Sequence, residues 1–114
     1  MKKEQIGEFL ERDFFWLETM QVLKSPLQIY WTWGVSHHLA FEPDADGYTT
    51  ALLLKVDAHH HKDFVLITLA YNDTYTVRLL DKEMKEIKVI REIYFDELQF
   101  TIDKEIEFIE GYKW

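Results

Sequence analysis

Apolar residues recur along this chain with two different periods, and each change of period marks an element. From Lys3 to about Leu23, Ile6, Leu10, Phe14, Leu17 and Met20 recur at intervals of three and four, with Phe9, Phe15, Trp16 and Val22 widening the stripe. That spacing lies on one face of a helix. Ser25-Pro26 ends it, because proline pushes the residue before it out of the helical region. The period then falls to two: Leu27, Ile29, Trp31, Trp33 and Val35 alternate with Gln28, Thr32, Gly34 and Ser36. Alternation places one set on a buried sheet face, so a first strand is expected here, its tryptophans in the core.

Glu42-Pro43-Asp44-Ala45-Asp46-Gly47 punctuates the chain as a loop. Strands follow from about Thr50 to Asp57 (Leu52, Leu54 and Val56 inward), Phe64 to Tyr71 (Val65, Ile67, Leu69) and Thr74 to Leu80 (Tyr75, Val77, Leu79). Asn72-Asp73 suits a tight hairpin, since both residues tolerate positive φ. Asp81 to Ile93 fits either a strand built on Ile87 and Val89 or a helix built on Leu80, Met84, Ile87 and Ile90. The turn-forming Asp81-Lys82-Glu83 and the β-rich Lys88-Val89-Ile90 favour the strand. Phe95, Leu98, Ile102, Ile106 and Ile109 mark a C-terminal helix, with Asp96 and Glu97 at its positive end and Gly111 as its stop.

These elements predict a single α+β domain over residues 1–114, in the order αββββ(β)α. It is a mainly antiparallel four- to five-stranded sheet flanked by an N-terminal and a C-terminal helix. Its expected core is Leu10, Leu17, Ile29, Trp31, Trp33, Leu54, Ile67, Val77, Leu98, Ile102 and Ile106. With 47% hydrophobic residues among 114, one core needs no metal or disulfide staple. The chain has no cysteine, which removes thiol nucleophiles and Cys-based zinc sites. Thirteen basic residues are scattered among 21 acidic ones, for a net charge of −8. Binding a phosphate backbone needs clustered Lys and Arg, so direct nucleic-acid binding is disfavoured. The N-terminus lacks the apolar region of a secretory signal, and no apolar run reaches the ~18 residues of a membrane span. The expectation is an acidic, cytoplasmic protein that contacts no membrane.

Tyr30-Trp-Thr-Trp-Gly-Val-Ser36, Ala51-Leu-Leu-Leu-Lys-Val56, Phe64-Val-Leu-Ile-Thr-Leu69 and Tyr94-Phe-Asp-Glu-Leu98 resemble segments of a group of small uncharacterised bacterial domains of the Bacteroidales type. The resemblance covers about Tyr30 to Glu110. It implies a self-standing domain and a hairpin over Asp81 to Ile90, and it implies no catalytic residue.

Five histidines, His37-His38 and His59-His60-His61, are the clearest candidates for chemistry, imidazole being the commonest metal ligand. With strands one and two paired as above, the two groups fall at opposite ends of strand two, about 25 Å apart at ~3.3 Å per residue. A shared zinc site would need ligands at ~2 Å from one ion. His59, His60 and His61 alone, with Asp57 or Asp63, remain a candidate metal site. Glu42 to Gly47 resembles the start of a calcium loop, but its twelfth position is Leu53 where a bidentate Glu is required. Ser36-His37 is an adjacent pair on a strand, where neighbours point to opposite faces, with no glycine-rich oxyanion loop. Asp96, Glu97, Asp103, Glu105, Glu107 and Glu110 fit a solvated helix face. No catalytic residue and no cofactor are implied.

With two helices on one sheet face, the other would carry Tyr30, Leu53, Phe64 and Leu66 as an apolar patch of the kind that marks contact surfaces. The leading expectation is a non-enzymatic protein-interaction or regulatory module acting through that face, with a protein partner or a homodimer. The alternatives are a metal-binding or small hydrolytic protein using His59 to His61, and an acidic decoy imitating DNA phosphates.

Overall fold

The computed structural model describes residues 12–25, 27–58, 60–70 and 72–106. In chain order the elements are β1 (Phe14–Phe15), α1 (Trp16–Leu23), α2 (Leu27–Thr32), β2 (His37–Ala40), β3 (Tyr48–Thr49), β4 (Leu52–Asp57), β5 (Lys62–Leu69), β6 (Tyr75–Leu80), β7 (Glu86–Ile93), a 3₁₀ turn (Phe95–Glu97) and α3 (Leu98–Ile106). The architecture is α+β. A five-stranded antiparallel sheet has the order β2-β4-β5-β6-β7, and β1 and β3 form a separate two-stranded ribbon. Each neighbour in the main sheet also follows in sequence, apart from the β3 excursion, so short connections suffice for every pairing.

Alternation sorts the strands as expected. Leu52, Leu54 and Val56, Val65 and Ile67, and Tyr75, Val77 and Leu79 form one core with Met20, Leu23, Leu98, Ile102 and Ile106 from the helices. Asp81 to Ile93 resolves as a hairpin into β7, closed by Asp81 N donating to the Lys85 carbonyl at 3.0 Å. The turn before β6 has Asp73 at φ +66°, and Asn72 Oδ1 accepts the Thr74 N–H at 3.3 Å.

Three expectations need correction. The segment expected as a first strand is a helix over Leu27–Thr32. The preceding helix ends at Leu23 with Lys24 as its C-cap, and the new one starts at Leu27. In the helix, Tyr30 and the following Trp33 turn inward while Trp31 is 70% exposed. Gly34 caps this helix at φ +62°, and a Cβ there would stand 2.7 Å from the Asp57 carbonyl oxygen. The first main-sheet strand is therefore β2, further along the chain. The second correction is the N-terminal stripe: Phe14 pairs with Thr49 in the ribbon, the inward face of α1 is Thr19, Met20 and Leu23, and Leu17 is exposed. Leu10 lies outside the described residues, as do Ile109 and Gly111.

The third correction concerns the outer sheet face. Leu53 and Leu66 do lie on it, but they are buried, packed with Phe41, Ala51, Leu80 and Met84, with Phe64 partly buried beside them. Tyr30 is not on this face at all. It belongs to the main core, with its ring 5.5 Å from that of Trp33, and burial raises its hydroxyl above the ordinary tyrosine range. No helix among the described residues is long and apolar enough to cross a membrane.

Candidate functional site

Moving the first main-sheet strand to His37–Ala40 changes what lies side by side. His37 pairs with Lys55 and Leu39 with Leu53, while Lys55 pairs with Phe64 on the next strand. Side chains at these positions project from one face, because residues opposite each other in a ladder share a side. The outer face at this end of the sheet is thus a row of His37 and Leu39, Lys55 and Leu53, then Phe64. The β6–β7 turn folds over it and adds Lys82 and Met84. Together with His38 at the strand edge, these residues line an open groove of about 500 Å³, within the range of ligand-binding clefts.

Its floor is apolar: Leu39, Leu53, Phe64 and Met84. Its rim is basic. Lys55 Nζ lies 6.0 Å from the Phe64 ring centroid, a cation–π distance. Neither Lys55 nor Lys82 forms an ion pair with a carboxylate among the described residues, the nearby pairs being Asp57 with Lys62 and Glu83 with Lys85. None of the eight lining residues is acidic, in a chain where acids outnumber bases 21 to 13. The charge of the lining is therefore opposite in sign to the net charge of the protein.

The turn that brings Lys82 and Met84 to the groove is built by Asp81. Its Oδ1 accepts the N–H groups of Glu83 at 2.8 Å and Lys85 at 3.0 Å, and its carbonyl accepts that of Met84 at 2.9 Å. The hydrogen bond from Lys85, chiefly, holds the Asp81 carboxyl below the usual carboxylate range. Met84 takes φ +68°, a left-handed conformation that the turn imposes.

No family model matches this chain, and no curated protein or solved structure shows significant similarity to it.

The candidate residues of the sequence fall as follows. The two histidine groups are not at opposite ends of a strand. Two strand spacings and three residues separate His37 from His61, roughly 14 Å, in place of the expected 25 Å. That is still too far for one ion. His61 is buried, and its Nε2 donates to the Phe64 carbonyl at 2.9 Å. His60 is exposed, with its backbone N–H donating to the Ile106 carbonyl at 2.6 Å. His59 lies outside the described residues. Among the described residues no three His, Asp or Glu side chains converge as a metal site requires.

His37 Nδ1 does reach Ser36 Oγ, at 3.1 Å, because Ser36 precedes the strand. The pair is exposed, and no carboxylate orients the imidazole among the described residues. In the Glu42 to Gly47 loop, Asp44 Oδ1 accepts the Asp46 and Tyr48 N–H groups, both at 2.9 Å, so it closes a turn. The acidic helix face is not wholly solvated either: Asp103 is buried and accepts the Trp33 indole N–H at 3.0 Å, and Glu105 pairs with Lys88 at 2.6 Å. Glu107 and Glu110 lie outside the described residues. Sequence reasoning missed Leu39, Lys82 and Met84 as groove residues. The one available signal was an apolar Met84 inside the otherwise charged Asp81 to Lys85 turn.

Proposed function

We propose that this chain is a non-enzymatic interaction module whose working surface is the β2 end of the outer sheet face. The observation that carries this reading is the groove lining: four apolar side chains beneath two lysines and imidazole, without a carboxylate, in a protein of net charge −8. Such a surface attracts an acidic, partly apolar partner while the rest of the molecule repels it, which selects orientation as well as identity. The lining offers charge and apolar contact to a bound protein. Of the residues expected to form an apolar patch, Phe64 and Leu53 line the groove floor, Leu66 is buried on the same face, and Tyr30 belongs to the main core.

Site-specific photocrosslinking in cells tests this. A photoreactive residue at Leu39, which is 47% exposed, should capture one discrete protein. The same residue at Phe100, 71% exposed on α3, should not. Lys55→Glu with Lys82→Glu should abolish the crosslink from Leu39. A partner caught from Phe100 alone, or capture indifferent to the charge reversal, would place the working surface elsewhere.

A further inference from the structure

Resting on the interaction reading, we infer that the groove's occupant is an extended segment of a partner protein, alternating apolar with acidic residues, which adds as a strand along β2. The two edges of the main sheet are treated differently. β7 carries Glu86, Lys88, Arg91 and Glu92, has Glu92 in a left-handed conformation at φ +58°, and shifts register against β6 twice. Charges and bulges on an edge are the devices that deter pairing with another chain. β2 carries no charge: His37, His38, Leu39 and Ala40 include no Asp, Glu, Lys, Arg or proline, and their register with β4 is unbroken, the one irregularity lying before it, where the Ser36 N–H donates at 3.0 Å to the carbonyl of Lys55, the partner of His37.

The backbone groups of β2 that find no strand partner among the described residues can be assigned. Phe41 donates to the Ala51 carbonyl at 2.9 Å. In an antiparallel ladder bonded and non-bonded pairs alternate, so Leu39 also turns its backbone groups toward β4, and the exposed His38 and the buried Ala40 turn theirs outward. An incoming strand meets those outward groups. Every second side chain it carries then lies on the groove side, next to Leu39 and two strand spacings from the long side chain of Lys55. An apolar residue there packs on Leu39, the near side of the groove floor. An aspartate or glutamate flanking it meets the basic rim.

Charge decides between this occupant and a second copy of the chain. Two copies joined antiparallel, edge to edge at β2, would bring the Lys55 and Lys82 rims of both onto one face of a continuous sheet, where neither rim gains an acidic partner. An acidic segment supplies that partner. With only four residues in β2, backbone bonds are few, so side-chain chemistry must supply most of the selectivity.

The experiment uses the full chain and two fluorescein-labelled synthetic peptides, one alternating leucine with glutamate and one alternating leucine with lysine. By fluorescence anisotropy the glutamate peptide should bind at least about tenfold more tightly, and Lys55→Glu with Lys82→Glu should invert that preference. Raising salt should weaken the binding. In amide exchange followed by NMR, bound peptide should slow the exposed His38, and to a smaller extent the buried Ala40, while leaving β7 unchanged. Binding without protection of His38 and Ala40 would overturn strand addition and leave the groove reading standing. Equal affinity for both peptides, or none for either, would overturn the inference, with the crosslink from Leu39 deciding the broader reading independently. Protected β2 amides and a dimeric mass without peptide would show that a second copy occupies the edge, and would also overturn it.

Discussion

Trp33 joins three segments through one residue. Its ring is fully buried beside Tyr30, its carbonyl accepts the Asp57 N–H at 3.0 Å, and its indole N–H donates to Asp103 on α3 at 3.0 Å. A buried donor left without an acceptor loses its partner and stays out of water, at about 1–3 kcal/mol. Asp103→Ala should therefore lower stability in urea by about that much, while Asp103→Asn, which keeps a carbonyl acceptor, should lose markedly less. Equal losses in the two variants would assign the effect to the charge of Asp103. The burial of Asp103 was not legible in the sequence, where acids at helical spacing mark a wet face. Only the arrival of Trp33 from a segment 70 residues earlier turns that position inward.

At the scale of elements, the β6–β7 hairpin sets the shape of the groove. Asp81 satisfies two backbone N–H groups that no strand partner reaches, and the turn then holds Lys82 and Met84 over Phe64 and Leu53. Asp81→Ala should speed amide exchange at Glu83 and Lys85 and weaken binding of the leucine–glutamate peptide several-fold, with little change in the thermal midpoint. Asp81→Asn retains an acceptor and should behave nearly as the parent. Unchanged exchange at Glu83 and Lys85 in the alanine variant would show that the strands alone hold the turn. The hairpin itself was legible, because Asp81-Lys82-Glu83 combines turn formers with β-rich flanks. Its fold back over the sheet was not, since that depends on Met84 finding an apolar floor.

For the whole molecule, burial of tyrosines couples stability to alkaline pH. Burial raises the Tyr75 hydroxyl above its ordinary value, the Thr19 hydroxyl at 2.7 Å partly offsets this, and nearby Glu18 adds to it; Tyr30 is raised by burial alone. A folded-state value above the unfolded one means that the native protein holds the proton more tightly. The resulting stability is fully present below the unfolded value of about pH 10 and is lost as pH rises through the folded values. Chemical denaturation between pH 8 and pH 11 should show the midpoint falling above about pH 10, with a shallower fall in Tyr75→Phe. A fall of equal slope in both proteins would exclude Tyr75 as its source.

The strand series from Leu52 to Leu80, the hairpin into β7 and the helix through Leu98, Ile102 and Ile106 were determined by the sequence itself. In each of these segments the local period and the buried face agree, so no distant contact has to intervene. Leu27 to Trp33 could be read only in three dimensions. Its apolar residues fit period two, yet Leu27 with Trp31, and Ile29 with Trp33, are also four apart, and short apolar runs do not distinguish the two periods. Packing chose the helix, because it brings Tyr30 and Trp33 under the sheet and leaves Trp31 in water. That choice displaced the first main-sheet strand to His37–Ala40, and with it the positions of His37, Leu39 and Lys55 relative to one another. The groove is assembled from three strands and a turn whose residues are distant in sequence, so it exists only once the register of β2 against β4 is set.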